Sequence, residues 1–302
     1  MSRRHIPLPP PPRSVPLGVT ITQLFGVSTQ LGLLFLGIGL IFFWAFAWSS
    51  EAVTAFEFLG PTTVTTGHVT AVEATYSSEN KRRIHRVRFM YEVDGATFDG
   101  ASYTTGPTIG PGSSVPVEYV TERPESARVQ GLRARPFSAA AAITTIFPLG
   151  GLLAALFGLL SGARNTRLLR VGAVGYARLV RKTPTNATVN KQREYKLEYE
   201  LTIEPEMPLG SYRQGWASWA QKHPFTYKTH ETRAVTDEHE EPVLYDPSRP
   251  GDALLIDAVK GVVIDPATQT LRPTRPAVLH LVLPTLVLLG NAVYLGVLLV
   301  GP

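Results

Sequence analysis

The chain has 302 residues, 44% of them hydrophobic and 18% charged, with a net charge of +5 and no cysteine. The absent cysteine excludes disulfides, a thiolate nucleophile and any cysteine-based zinc site. The positive charge is spread without interleaved aromatics, which excludes the pattern of a nucleic-acid reader.

Residues 1–23 form a proline-rich basic tail. Pro7 to Arg13 reads as a short polyproline II spacer, because proline fixes φ and removes an amide donor. It leads toward lipid headgroups with Arg3, Arg4 and Arg13. Residues 24–48 follow as a first transmembrane helix, too long and too oddly preceded for a cleavable signal peptide. Two further stretches, 139–161 and 278–300, also carry no Asp, Glu, Lys or Arg. A hydrocarbon core of about 30 Å needs about 20 helical residues, so all three are long enough to cross. The lipid bilayer is therefore the first expected partner.

Three crossings place the intervening polar regions, 49–138 and 162–277, in different compartments. The first holds 9 basic residues against 10 acidic, the second 17 against 14. Arg164, Arg167 and Arg170 after helix two, and Arg272 and Arg275 before helix three, lie on the same side as the tail. Short basic flanks stay in the cytoplasm, so the N-terminus and the second domain are expected inside a bacterial-type inner membrane, with the first domain outside. Arg133 and Arg135, just before helix two, pull mildly the other way.

Both polar regions read as β-structure. Val87, Phe89, Tyr91 and Val93 alternate with Arg86, Arg88 and Glu92, and Asp94-Gly95 supplies a type I′ hairpin turn. Tyr195, Leu197, Tyr199, Leu201 and Ile203 repeat that alternation, with Glu204-Pro-Glu-Met-Pro208 where the first copy has Asp-Gly. Pairing Tyr91-Glu92 with Tyr199-Glu200 gives an offset of 108 residues. Pairing Tyr119 with Tyr245 gives 126, so an insertion of 18 is expected in a duplicated module. The fold class is thus membrane α plus all-β: three transmembrane helices with two small antiparallel β-barrels or β-sandwiches.

The order of these motifs, with Gly112 to Tyr119 and the turn Tyr245 to Pro250, resembles the bacterial family known as domain of unknown function 3592. The resemblance covers Val64 to Leu132 best. It implies small β-domains joined to transmembrane helices and implies no activity.

No nucleophile elbow, phosphate loop or dinucleotide fingerprint is present, so no enzyme and no cofactor are expected. His223, His230 and His239, with Asp237, Glu240 and Glu241, fall in the insertion at spacings that fit no zinc template and read as a polar surface loop. Lys81, Arg82, Arg83 and Arg86 form a basic run between strands, a solvated hairpin loop that could also touch an anionic surface. Trp216 and Trp219 are candidate interfacial anchors. Gly150, Ala154, Gly158 and Gly162 recur every four residues on helix two and permit close backbone approach. A packing partner there is expected: helix one, helix three, another membrane protein or a second copy. Pro148 and Pro284 should disturb their helices, and Asn291 should bond across to a neighbour. These features describe a non-enzymatic membrane protein whose β-domains act as binding or assembly modules, or alternatively an accessory subunit of a transporter or channel.

Overall fold

A computed structural model describes residues 6–189, 191–203 and 221–300. The chain divides into two compact units, one holding residues 1–32 and 154–286, the other 33–153 and 287–302. Among the described residues five helices, α1 (Leu17–Leu24), α2 (Val27–Phe42), α3 (Glu51–Glu57), α4 (Ile146–Val171) and α5 (Leu279–Val300), accompany twelve strands.

In the unit of residues 33–153, β1 (Thr62–Glu79), β2 (Arg82–Val93), β3 (Ala96–Thr104), β4 (Ser114–Val120) and β5 (Arg123–Val129) form one antiparallel sheet in the order β3-β2-β1-β4-β5. Alternation puts Val87, Phe89 and Tyr91 on its buried face with Val69, Val115, Val117 and Val129. Asp94 and Gly95 both take positive φ, the type I′ geometry their sequence predicts. Strands β1 and β2 run further than the alternation indicates, and their connection is the two-residue turn Asn80-Lys81, again with positive φ at both. The basic run is therefore corrected from a loop to a turn and strand: Lys81 sits in the turn, while Arg82, Arg83 and Arg86 belong to β2. Buried Ile84 locks the segment there.

In the other unit, β6 (Ala173–Val189), β7 (Gln192–Ile203), β8 (Gln221–Thr229), β9 (Glu241–Asp246) and β10 (Arg249–Leu255) pair in the order β10-β9-β6-β7-β8, the same topology repeated. A small hairpin, β11 (Val262–Asp265) with β12 (Thr270–Pro273), follows. The strand register corrects the offset read from Tyr-Glu. The bulge between Val69 and Ala71 recurs between Leu179 and Arg181, and that between Ala74 and Ser78 recurs between Pro184 and Thr188. Both recur 110 residues apart, so Phe89 corresponds to Tyr199 and Tyr91 to Leu201. Repeated Tyr-Glu dipeptides misled because a strand tolerates a two-residue slip without changing faces. The insertion is also corrected. His223, Phe225 and Tyr227 do not lie in an added loop but form β8, the counterpart of β3. The extra residues fall mainly between β7 and β8, a stretch outside the described residues that also holds Trp216, Trp219 and Glu204 to Pro208.

Three helical segments are long and apolar enough to cross a membrane: Val27–Ala47, Ala139–Val171 and Leu279–Val297. They leave large apolar side chains exposed, among them Phe35, Ile38, Leu153, Phe157, Leu286 and Leu289. The first begins after a break at Phe25-Gly26 that makes α1 a separate helix, and it closes with a π-helical turn, Phe43–Ala47. The second opens as a 3-10 helix over Ala139–Thr145 and runs ten residues beyond its predicted end at Ser161. Pro148 sits in the first turn of α4, where the amide it lacks is one of the four an α-helix leaves free, so it ends nothing.

Candidate functional site

Glycine brings α2 and α4 together. In the unit of residues 1–32 and 154–286, a Cβ on Gly32 would lie 2.7 Å from the Cα of Ala155 and 2.8 Å from the carbonyl carbon of Ala154. One on Gly158 would lie 2.5 Å from the Thr29 nitrogen, and one on Gly162 2.7 Å from the carbonyl carbon of Gln23. The order of these pairs makes the helices antiparallel. The predicted stripe is thus covered by helix one of the same chain at Ala154, Gly158 and Gly162, while Gly150 has nothing within 4 Å. In the other unit, Gly39 meets Pro148 at 2.5 Å and Gly37 meets Val287 of α5 at 2.8 Å by the same measure. Asn291 donates to the Val287 carbonyl of its own helix at 2.9 Å and stands 3.4 Å from the Gly37 carbonyl of α2.

Each sheet is tied to helical chain by a collar of arginine–carboxylate pairs. In the first domain the chain entering the sheet carries acids and the chain leaving it carries arginines. Arg135 forms a two-pronged pair with Glu57 on α3. Its own amide donates to Glu51 at 3.1 Å. Arg128 reaches Glu118 at 2.9 Å and Glu51 at 3.3 Å, with its guanidinium 4.6 Å from the Phe58 ring centre. Arg133 donates to Glu79 at 2.6 Å, and the Ser138 amide donates to the other Glu79 oxygen at 3.1 Å. Those bonds hold the Glu79 carboxyl below its ordinary range despite its partial burial, which works the other way. The entering and leaving segments also meet, with the Glu51 amide donating to the Phe137 carbonyl at 2.8 Å.

In the second domain the helix itself carries the arginines. Arg164 donates to Asp252 at 2.5 Å and to the Ala253 carbonyl at 2.9 Å. Arg167 is in close contact with Asp246, whose other oxygen accepts from the Ser248 amide and hydroxyl at 2.9 and 2.6 Å. These Ser248 bonds, then Arg167, keep the Asp246 carboxyl ionised to lower pH than usual. Only Gly172 separates α4 from β6, and a side chain there would strike the Leu168 carbonyl at 2.5 Å.

The tail corrects the sequence reading most. Arg13 does not reach toward headgroups: it is buried, donates from Nη1 to the Gly172 carbonyl at 2.7 Å and caps the C-terminus of α4, while its amide donates to the Arg170 carbonyl at 2.7 Å. A cation at the negative end of a helix is the favourable sign. Val15 and Val19 of the same tail enter a core with Leu168, Leu244, Leu254 and Leu271.

The three histidines are not brought together. His223 is on β8, His230 follows that strand 3.6 Å from Glu231, and His239 is exposed before β9. Among the described residues no group of three or more His, Asp or Glu is placed to hold a metal ion. Glu241 stands out instead, being 1% exposed with Oε2 unpartnered while the Glu238 amide donates to Oε1 at 3.0 Å. Burial, then the nearby Asp237, Glu238 and Asp257, push its carboxyl up, against the single amide bond. Two buried phenols donate to distant carbonyls: Tyr91 to that of Pro124 on β5 and Tyr199 to that of Val235, in the turn between β8 and β9. Burial raises both, Tyr91 to about 12, so both remain neutral donors. The aromatic group missed in the sequence is Phe43, Trp44, Phe46 and Trp48 at the end of the first apolar run, where Phe46 packs on Phe137 at 5.2 Å. Its signal was four aromatics in six residues closing a charge-free stretch. Comparison of the chain with protein-family models, curated proteins and solved structures finds no match.

Proposed function

We propose that the chain is a multi-pass membrane protein of a bacterial-type inner membrane, with its N-terminus in the cytoplasm. Its two β-domains act as non-enzymatic binding or assembly modules on opposite faces. The observation that carries this reading is the pair of collars. Each module is clamped to its own helix ends, as an assembly platform requires and as a freely tethered binding domain does not. Membership of the domain of unknown function 3592 family is proposed with it, on motif order alone.

The orientation rests on the basic excess of the tail and the second domain over the first domain. Arg133 and Arg135 are paired with carboxylates, but so are Arg164 and Arg167 of α4, and pairing does not separate the two flanks. Trp44 and Trp48 support an interface at the end of helix one, since indole favours the boundary between hydrocarbon and water.

Because the chain has no cysteine, single cysteines at the exposed positions Thr97 and Ala267 report location without background. An impermeant maleimide added to intact cells is expected to label Thr97→Cys at once and Ala267→Cys only after permeabilisation. Labelling of both from one side, or release of the chain from vesicles by alkali without detergent, would overturn the reading.

A further inference from the structure

Between α1 and the last turns of α4 lies a cavity of about 350 Å³, lined by Val15, Thr20, Leu24, Ala163, Thr166, Arg167 and Arg170. Its walls are mostly carbon. The two hydroxyls are already spent on their own helices, Thr166 donating to the Gly162 carbonyl at 2.9 Å and Thr20 standing 3.5 Å from that of Pro16. Arg167 is committed to Asp246. Arg170 differs from its neighbours, because its exposed guanidinium has no carboxylate or carbonyl partner among the described residues, although it closes a helix whose other two arginines are paired. The C-terminal carbonyls that would repel an anion there are occupied by Arg13. An apolar slot, open beside a helix that is lipid-facing one turn earlier at Leu160 (71% exposed), thus ends at an uncommitted cation.

We propose that this cavity binds one anionic phospholipid, with its phosphate on Arg170 and the start of an acyl chain against Leu24 and Ala163. The shared chemistry with free phosphate is the guanidinium–phosphate contact; the carbon walls and their continuity with the apolar helix favour the lipid. α1 is then a lid over a lipid as well as a strut on the second domain. This inference rests on the membrane reading above.

The full chain, purified in detergent, would be titrated with phosphatidylglycerol, phosphatidylcholine and inorganic phosphate and observed by native mass spectrometry. One phosphatidylglycerol per chain is expected, held about fivefold tighter than phosphatidylcholine, the worth of one basic residue at an anionic headgroup. Arg170→Gln should remove that preference, Arg170→Lys should keep most of it, and Ala163→Trp should weaken both lipids by filling the slot. Equal affinity for the two lipids in the wild type, an unchanged preference in Arg170→Gln, or displacement of the lipid by equimolar inorganic phosphate would each overturn the proposal. A chain that resists alkaline extraction yet shows no preference refutes the pocket alone; one released by alkali refutes the membrane reading instead.

Discussion

In the first β-domain Glu51 and Glu57 stand on the helical lead-in, and their arginines stand on the sheet and the chain leaving it. In the second, Arg164 and Arg167 stand on the helix and the aspartates on the sheet. The topology is the same and the sign of the clamp is reversed. What changes with it is the connection: a 14-residue lead-in, Trp48 to Pro61, separates the first apolar helix from β1, whereas one residue separates α4 from β6. A duplicated sheet is therefore indifferent to which side of an ion pair it supplies. On the proposed membrane reading the helix is not, because charge at the end of a membrane helix also sets orientation.

The cores differ at several matched positions, and the largest effect is expected at one of them. Phe89 lies over Gly100, where a Cβ would come within 2.5 Å of its ring, while its counterpart Tyr199 stacks on Phe225 at 5.4 Å. The two sheets fill one slot with opposite partners. Phe225→Ala should cost about 3–5 kcal/mol by opening a cavity beside Tyr199. Gly100→Ala should cost less, about 1–3 kcal/mol, by overpacking. Hydrogen exchange read separately on β7 and β2 peptides would locate each loss. Protection of β7 unchanged in Phe225→Ala would remove the stack from the account.

Next in size is Glu241, which occupies the place of Val115, since Gly67 pairs with Val115 and the corresponding Ala177 with Glu241. Folding raises this carboxyl above its ordinary 4.5, so the folded chain holds the proton more tightly than the unfolded one. Its contribution is complete below pH 4.5 and is lost as pH rises through the elevated folded value. Glu241→Gln keeps the acceptor for Glu238 and cannot ionise. It should melt as wild type does at pH 4 and higher at pH 7, by about 1–3 kcal/mol, the usual penalty of an unsatisfied buried group. A difference independent of pH would show that ionisation is not what the position costs.

The collars come third. Apart from the buried Asp246, their arginine and acid side chains are partly exposed, which limits each pair to about 1 kcal/mol. Arg135→Ala should loosen α3, and Arg167→Ala should loosen the junction of α4 with β9, both less so in high salt. If Arg167→Ala changed nothing at low salt while Arg135→Ala did, the second clamp would be the covalent connection at Gly172 rather than the charge.

Alternation exposed β2 and β7 because each buries one face, and absence of charge exposed the three long helices. What stayed hidden depended on partners distant in sequence. Arg13 reads as a surface cation until the end of α4 arrives to accept its bonds. β8 reads as an insert because its register comes only from β7. The glycine stripe was visible, but its occupant was not: Thr29 and Gln23 carry no mark of packing on Gly158 and Gly162.

The smallest effect tests the repeat itself. In the first sheet Thr75 Oγ1 donates to the Ile84 carbonyl at 2.8 Å and accepts from the Ser77 amide at 3.3 Å. In the second, Thr185 Oγ1 stands 3.3 Å from the Glu194 carbonyl and accepts from the Ala187 amide at 3.2 Å. Both threonines sit at the second bulge, 110 residues apart, and each satisfies a backbone amide left without a ladder partner. Thr75→Val and Thr185→Val should each cost about 0.5 kcal/mol, the low end for a part-buried neutral hydrogen bond, and speed hydrogen exchange at Ser77 and Ala187 respectively. The two costs should match within a few tenths of a kcal/mol if the bulges are one inherited device. A loss at one site and none at the other would mean that the second hairpin, where Thr185 also bonds the Glu194 carboxylate at 3.0 Å, holds its bulge by different means.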